Sequence, residues 1–168
     1  KHINCENCAS RKNSLFSSFD QEKVDALDCV KSCAYYKKNQ PIFLEGSTPR
    51  GVYCLNQGKI KIFTRGEEGK EQIIHLAAAG EIVGFRAMFS GEPYKVSATT
   101  LEESNICFIS KNDFLDLVDS NVALRNGIMK ELSKELADRA TFITNMAQKS
   151  VRGRLAFSLV MLNDIYAD

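Results

Sequence analysis

The feature that most constrains this chain is a change of period. Between residues 34 and 109 the apolar residues fall into short runs separated by Gly, Pro and charged turns, and after Lys111 they recur at helical spacing. Lys59-Ile-Lys-Ile-Phe-Thr64 alternates polar and apolar side chains, the pattern of a strand with one wet and one buried face. Residues 35–36, 40–44, 51–55, 71–76, 81–84, 94–98 and 105–109 read as further strands, with turn chemistry in Asn56-Gln-Gly58 and Arg65-Gly-Glu-Glu-Gly-Lys70. Strands this short and this regularly spaced close into a sandwich, roll or barrel. The expected class is α+β: one such β-structure with short flanking helices and a long C-terminal helix.

Helical signals flank the strands. Asp20 is placed to cap a helix over about 21–31, with Val24, Leu27 and Val30 on one face. Ser110 or Asn112 could cap another that carries Phe114, Leu115 and Val118. Residues 122–148 then contain no Pro and only Gly127, so one long helix is expected there. Ile128, Leu132, Leu136, Arg139, Ile143 and Met146 recur at steps of three and four, a seam suited to a partner helix. Packing on its own domain is the plainer alternative for that seam. A second stripe of Leu124, Met129, Phe142 and Ala147 allows one face for each role. The expected divisions are a cysteine-bearing cap at 1–19, a β domain at 20–121, a dimerisation helix at 122–150 and a connecting segment at 151–168.

Charge and composition exclude several classes. Lys and Arg total 22 against 21 Asp and Glu, so the chain has no wholesale nucleic-acid or membrane surface. No apolar run is long enough to span a bilayer, and the first residues lack a signal-peptide core, so a cytoplasmic protein without a membrane partner is expected. No Ser/His/Asp set, Walker loop or HExxH motif is present, and His75 is the only histidine besides His2. A general-base constellation is hard to build from that, and the chain reads as no enzyme.

Six cysteines remain: Cys5, Cys8, Cys29, Cys33, Cys54 and Cys107. In a reducing compartment they are metal ligands, redox groups or buried small residues. Only Cys5-Glu-Asn-Cys8 has ligand-like spacing, and Cys29, Cys33 and Cys54 read as small buried residues.

Gly80-Glu-Ile-Val-Gly-Phe-Arg-Ala-Met88, Val96-Ser-Ala98 and Ile106-Cys-Phe-Ile-Ser-Lys-Asn-Asp-Phe114 resemble the phosphate-binding region of the cyclic-nucleotide-binding fold. With Cys5-x-x-Cys8, Gly58-Lys-Ile-Lys, Gly69-Lys-Glu-Gln-Ile, Leu101-Glu-Glu-Ser and Arg154-Leu-Ala, the resemblance is to Crp/Fnr-type bacterial transcription regulators, above all their oxygen-responsive branch. It implies a cyclic-nucleotide-binding-like β-roll of the double-stranded jelly-roll kind that senses an effector, in a homodimer that binds DNA through a helix-turn-helix domain following this chain. It also implies an effector pocket at Gly80, Glu81, Val83, Gly84, Phe85, Arg86, Val96 and Ser97. In the nucleotide-binding relatives a Glu holds the ribose and an Arg the phosphate. Phe85 and Val96 stand at those places, so cyclic AMP is not expected to bind.

Two cofactors are consistent with the resemblance. An iron–sulfur cluster would use Cys5, Cys8 and Cys107, with Ser14 where a fourth cysteine is expected and Cys29 or Cys33 as stand-ins. Haem would draw on His75, Met88 or Met146. A different class of function, a cyclic-nucleotide-binding or protein-interaction module without DNA binding, is disfavoured by the long helix and the Cys5-x-x-Cys8 start.

Overall fold

The computed structural model describes residues 4–66 and 68–166. It divides into two units, Lys1–Leu124 and Arg125–Asp168.

In the first unit, Asp20 accepts a hydrogen bond from the Lys23 backbone N–H and caps α1 (Gln21–Val30), whose buried face is Val24 and Leu27. Lys31 is its C-cap, the backbone N–H donating to the Leu27 carbonyl. It opens β1 (Lys31–Tyr36), a strand whose only visible signal was Tyr35-Tyr36. The other strands are β2 (Pro41–Phe43), β3 (Gly51–Gln57), β4 (Ile60–Arg65), β5 (Glu71–Ala77), β6 (Ile82–Val83), β7 (Ser97–Thr100) and β8 (Ser104–Ser110). They form two antiparallel sheets, in the orders β1-β8-β3-β6 and β2-β7-β4-β5. Phe43, Leu55, Ile60, Ile62, Val83, Tyr94, Ala98 and Ile106 fill the roll, and their removal from water is its main stabilisation.

Two local departures have physical causes. The ladder of β4 with β5 slips between Ile62 and Phe63, so both side chains are buried where strict alternation would expose one. Residues 94–98 are not one strand. Tyr94 turns inward, its backbone bonding the 46–47 turn, and β7 begins only at Ser97. Between Gly84 and Gly91, both in left-handed conformations, lies α2 (Phe85–Ser90), too short to show a period in the sequence.

Ser110, rather than Asn112, caps α3 (Lys111–Ser120), which buries Phe114 and Val118. The Asn121 side chain accepts from the Leu124 N–H at the start of α4 (Val122–Gln148).

The second unit holds most of α4 and α5 (Val151–Tyr166), where the Phe142 and Phe157 rings lie 6.1 Å apart. On α4 the exposed apolar row is Met129, Leu136 and Ile143, seven residues apart, while Leu132, Arg139 and Met146 are half-buried. Ile128, expected on the seam, is 3% exposed and therefore enclosed by its own chain. Met129 takes its place, which also restores the alternation of three- and four-residue steps. Among the described residues no helix is long and apolar enough to cross a membrane.

Candidate functional site: a cysteine-walled cavity

Strand register brings together cysteines that are far apart in sequence. Cys33 on β1 lies opposite Cys107 on β8, and Cys107 lies opposite Cys54 on β3. Directly opposed residues of antiparallel strands point to one face. The three therefore form a row across the outer face of the sheet, away from the roll interior filled by Leu55 and Ile106. Cys33 and Cys107 are joined by a disulfide.

The N-terminal cap covers this row. A 3₁₀ turn over Ala9–Asn13 packs against Gly80, whose left-handed backbone leaves no room for a side chain: a Cβ would stand 3.2 Å from the Ser10 carbonyl oxygen. Ser10 Oγ donates to the Asn56 carbonyl. Between cap and sheet lies a cavity of about 50 Å³, walled by Cys5, Cys8, Cys54, Cys107, Lys31 and Ser14 among others.

The sulfurs of the cap are held by donors from the roll. Lys31 Nζ donates to Cys5 Sγ at 2.9 Å and pairs with Asp28 Oδ1 at 2.7 Å, and its side chain is only 3% exposed. Asn56 Nδ2 donates to Cys8 Sγ at 3.0 Å. Asp28 in turn accepts from the Cys5 backbone N–H at 2.7 Å. Burial pushes the Cys5 thiol above its ordinary pKa, opposed by the Lys31 ammonium. Burial pushes Cys54 to about 12, so it stays a neutral thiol at pH 7.

Asp28 makes cap docking dependent on acid. Partial burial would raise its pKa, but Lys31 and the Cys5 N–H outweigh this and hold it low. A carboxylate whose folded pKa is depressed stabilises the fold above its unfolded value and loses that contribution as the pH falls through the folded one. Stability should therefore decline below about pH 4. Asp28→Asn should lower stability at pH 7 and flatten that acid limb, as urea midpoints at pH 7 and about pH 3 would show. Equal pH dependence in both proteins would contradict the role given to Asp28.

The residues expected to form an effector pocket lie between the cap, the start of α2 and the core of the roll. Gly80 faces the cap. Glu81 accepts from the Ala78 N–H and pairs with His75. Gly84 precedes α2, Phe85 is buried on it, and Arg86 is half-buried beside it. Ser97 Oγ accepts from the Glu45 N–H, and Val83 and Val96 pack into the core. At the centre of the roll, Tyr94 stacks on Phe43 with ring centroids 4.0 Å apart and Tyr53 beside them. Aromatic side chains fill this interior. Of the haem candidates, His75 Nε2 is 2.7 Å from Glu81 Oε2 at the surface, Met88 is 3% exposed on α2, and Met146 lies in the second unit.

The donor set does not fit a four-thiolate cluster. Cys107 is bonded to Cys33. Ser14 is committed to a turn, its hydroxyl donating to the Arg11 carbonyl and accepting from the Phe16 N–H. Among the described residues no three His, Cys, Asp or Glu side chains are grouped to hold a metal ion. Cys29 is exposed, so it is neither a buried residue nor a stand-in ligand, and Cys33 is half-buried in the disulfide rather than a small core residue. The member missed from sequence is Cys54. Its parity within Gly51-Val-Tyr-Cys-Leu55, opposite in sense to the core residue Leu55, was the available signal.

Known proteins share this framework. The cyclic nucleotide-binding domain family matches residues 34–121, just over half of the chain. The fumarate and nitrate reduction regulatory protein of Vibrio cholerae serotype O1 is 30% identical over 162 residues, covering 96% of this chain and 64% of the relative. The regulatory protein HlyX of Actinobacillus pleuropneumoniae is 30% identical over 166 residues, covering 98% of this chain and 69% of the relative. The chain thus spans about two thirds of the length of these curated relatives. The sensor domain of the transcriptional regulator DNR from Pseudomonas aeruginosa superposes with a TM-score of 0.68 at 22% identity, over 79% of this chain and 89% of that one, a likeness of fold. The sequence likeness to regulators thus runs along nearly the whole chain, and the chain belongs to the cyclic nucleotide-binding domain family, in its Crp/Fnr branch.

Proposed function

We propose that this chain is the signal-receiving and dimer-forming part of a DNA-binding transcription regulator, and that the signal is a redox change read at the cysteine cavity. The observation that carries this reading is the convergence of Cys5, Cys8, Cys54 and Cys107 on one cavity between cap and sheet. The interior of the roll, where a nucleotide would sit, is occupied by Tyr94 and Phe43 instead. The curated relatives carry names of regulators of fumarate and nitrate reduction, which accords with a redox signal.

The output element is α4. Its exposed row of Met129, Leu136 and Ile143 is the apolar face a second copy would cover, forming a two-fold pair. A helix-turn-helix domain carried by the longer protein would then meet two half-sites at a spacing set by that pair. An effector acts only if it favours one arrangement over the other.

Arg139 is the odd member of the seam. Its guanidinium donates to Glu135 at 2.8 Å along the same helix rather than across an interface, and its Nε is buried without a partner. Two copies of this charge meeting at a two-fold axis would repel by about 1 kcal/mol. Arg139→Leu should tighten the dimer several-fold, whereas Ile143→Glu should yield monomer. Sedimentation equilibrium tests both. A full dimer in Ile143→Glu would show that α4 is not the interface.

A further inference from the structure

We propose that Cys33 and Cys107 form a reversible thiol–disulfide switch, worked by low-molecular-weight thiols and disulfides, that either ties the cavity-lining Cys107 to the edge strand β1 or leaves it as a free thiol in the cavity wall. The proposal deepens the reading of the cavity as the place where a redox signal enters, and rests on it for its biological consequence.

The ladder prepares the pair. Cys33 and Cys107 are directly opposed in the register of β1 with β8, so their sulfurs can meet or separate without any slip of the strands. Strand β1 is the edge of its sheet, hydrogen-bonded to β8 alone. The two sulfurs differ in access. Cys33 is half-buried, whereas Cys107 is 7% exposed. A small disulfide therefore meets Cys33 first.

The exchange balances with that reagent alone. The Cys33 thiolate attacks one sulfur of RSSR, forming Cys33–S–S–R and releasing RS⁻. The Cys107 thiolate then attacks the Cys33 sulfur, forming the protein disulfide and releasing the second RS⁻. Two protein thiols are oxidised, one small disulfide is reduced to two thiols, and the protons pass to the leaving thiolates. Excess thiol drives the reverse. Cys54 is the third cysteine of the row, but its burial keeps it a neutral thiol, a poor competitor for Cys107.

The consequence lies in the cavity. In the disulfide state Cys107 is tied to β1, two residues beyond the Lys31 that holds Cys5 and Asp28. Reduction returns a thiol to the wall that Cys5, Cys8 and Cys54 share, and frees the start of β1 from its covalent anchor.

The test is alkylation of the full chain at graded ratios of reduced to oxidised glutathione, followed by peptide mass mapping. Cys33 and Cys107 should lose alkylation together, regain it on adding reduced glutathione, and appear as one linked peptide. Cys5, Cys8, Cys29 and Cys54 should appear in no linked peptide at any ratio. Cys107→Ser should trap glutathione on Cys33, whereas Cys33→Ser should leave Cys107 largely unmodified over the same time. Linkage of a different pair, a bond that reduced glutathione cannot open, or preferential glutathione capture by Cys107 would each overturn the switch. A dimer that still responds to redox state while this pair stays open would sink the switch and leave the sensor reading standing. A pair that cycles beside an indifferent dimer would do the opposite.

Discussion

Replacing Cys33 with Ala is expected to destabilise the oxidised protein by about 4 kcal/mol, the loop-closure entropy of a cross-link across so long a segment. The bond joins residues 74 apart in sequence and so encloses nearly all of the roll, from the first strand to the last. Cutting it frees the unfolded chain far more than the folded one, because the register of β1 with β8 already holds both partners in place. Reduction of the unaltered protein should cost the same, and the reduced protein and Cys33→Ala should unfold together. Urea unfolding, with and without a reductant, decides the matter. Equal midpoints for the oxidised and reduced protein would mean that the bond contributes nothing to the fold.

Tyr94→Ala is expected to cost a similar amount, about 3–5 kcal/mol. Tyr94 is 4% exposed, stacks on Phe43 and donates its hydroxyl hydrogen to the Gly51 carbonyl at 3.4 Å. Truncation removes a ring from the centre of the roll and leaves a cavity that its neighbours close only in part. The same variant probes function. A cavity opened where a nucleotide would sit still lacks a ribose acceptor and a phosphate partner, since Phe85 and Val96 remain. Calorimetry with cyclic AMP should therefore show no binding in either protein. Micromolar affinity in the variant would mean that Tyr94 alone closes an otherwise competent nucleotide site.

Much of this architecture was legible in the sequence, and the exceptions are instructive. Asp20 and Ser110 were recognisable as caps because a short acceptor side chain precedes an apolar period. The strands of the roll were legible from alternation, except where a bulge buried Phe63 next to Ile62. Tyr94 looked like a strand residue because it begins an alternating run. Only the surrounding turn shows that its ring belongs to the core. The cavity was half legible. Cys5 and Cys8 announce themselves by spacing, and Cys107 by its place in the family. The partnership of Cys107 with Cys33 and its neighbour Cys54 depends on which strands are adjacent, and strand order is not written in local periodicity. For the same reason Ile128 and Met129 could not be told apart on α4, where neighbouring apolar residues fit the seam nearly equally well.

The proposed relay of redox state from the cysteine cavity to the pairing of two copies is open to direct measurement. Its most direct test is the dimer dissociation constant of the unaltered chain, measured by sedimentation equilibrium in reduced and in oxidised glutathione buffers. Constants that differ by about tenfold, equivalent to about 1.4 kcal/mol of coupling, are expected, with no difference in Cys107→Ser. The same constant in both buffers, with the thiols shown to have changed state, would contradict it.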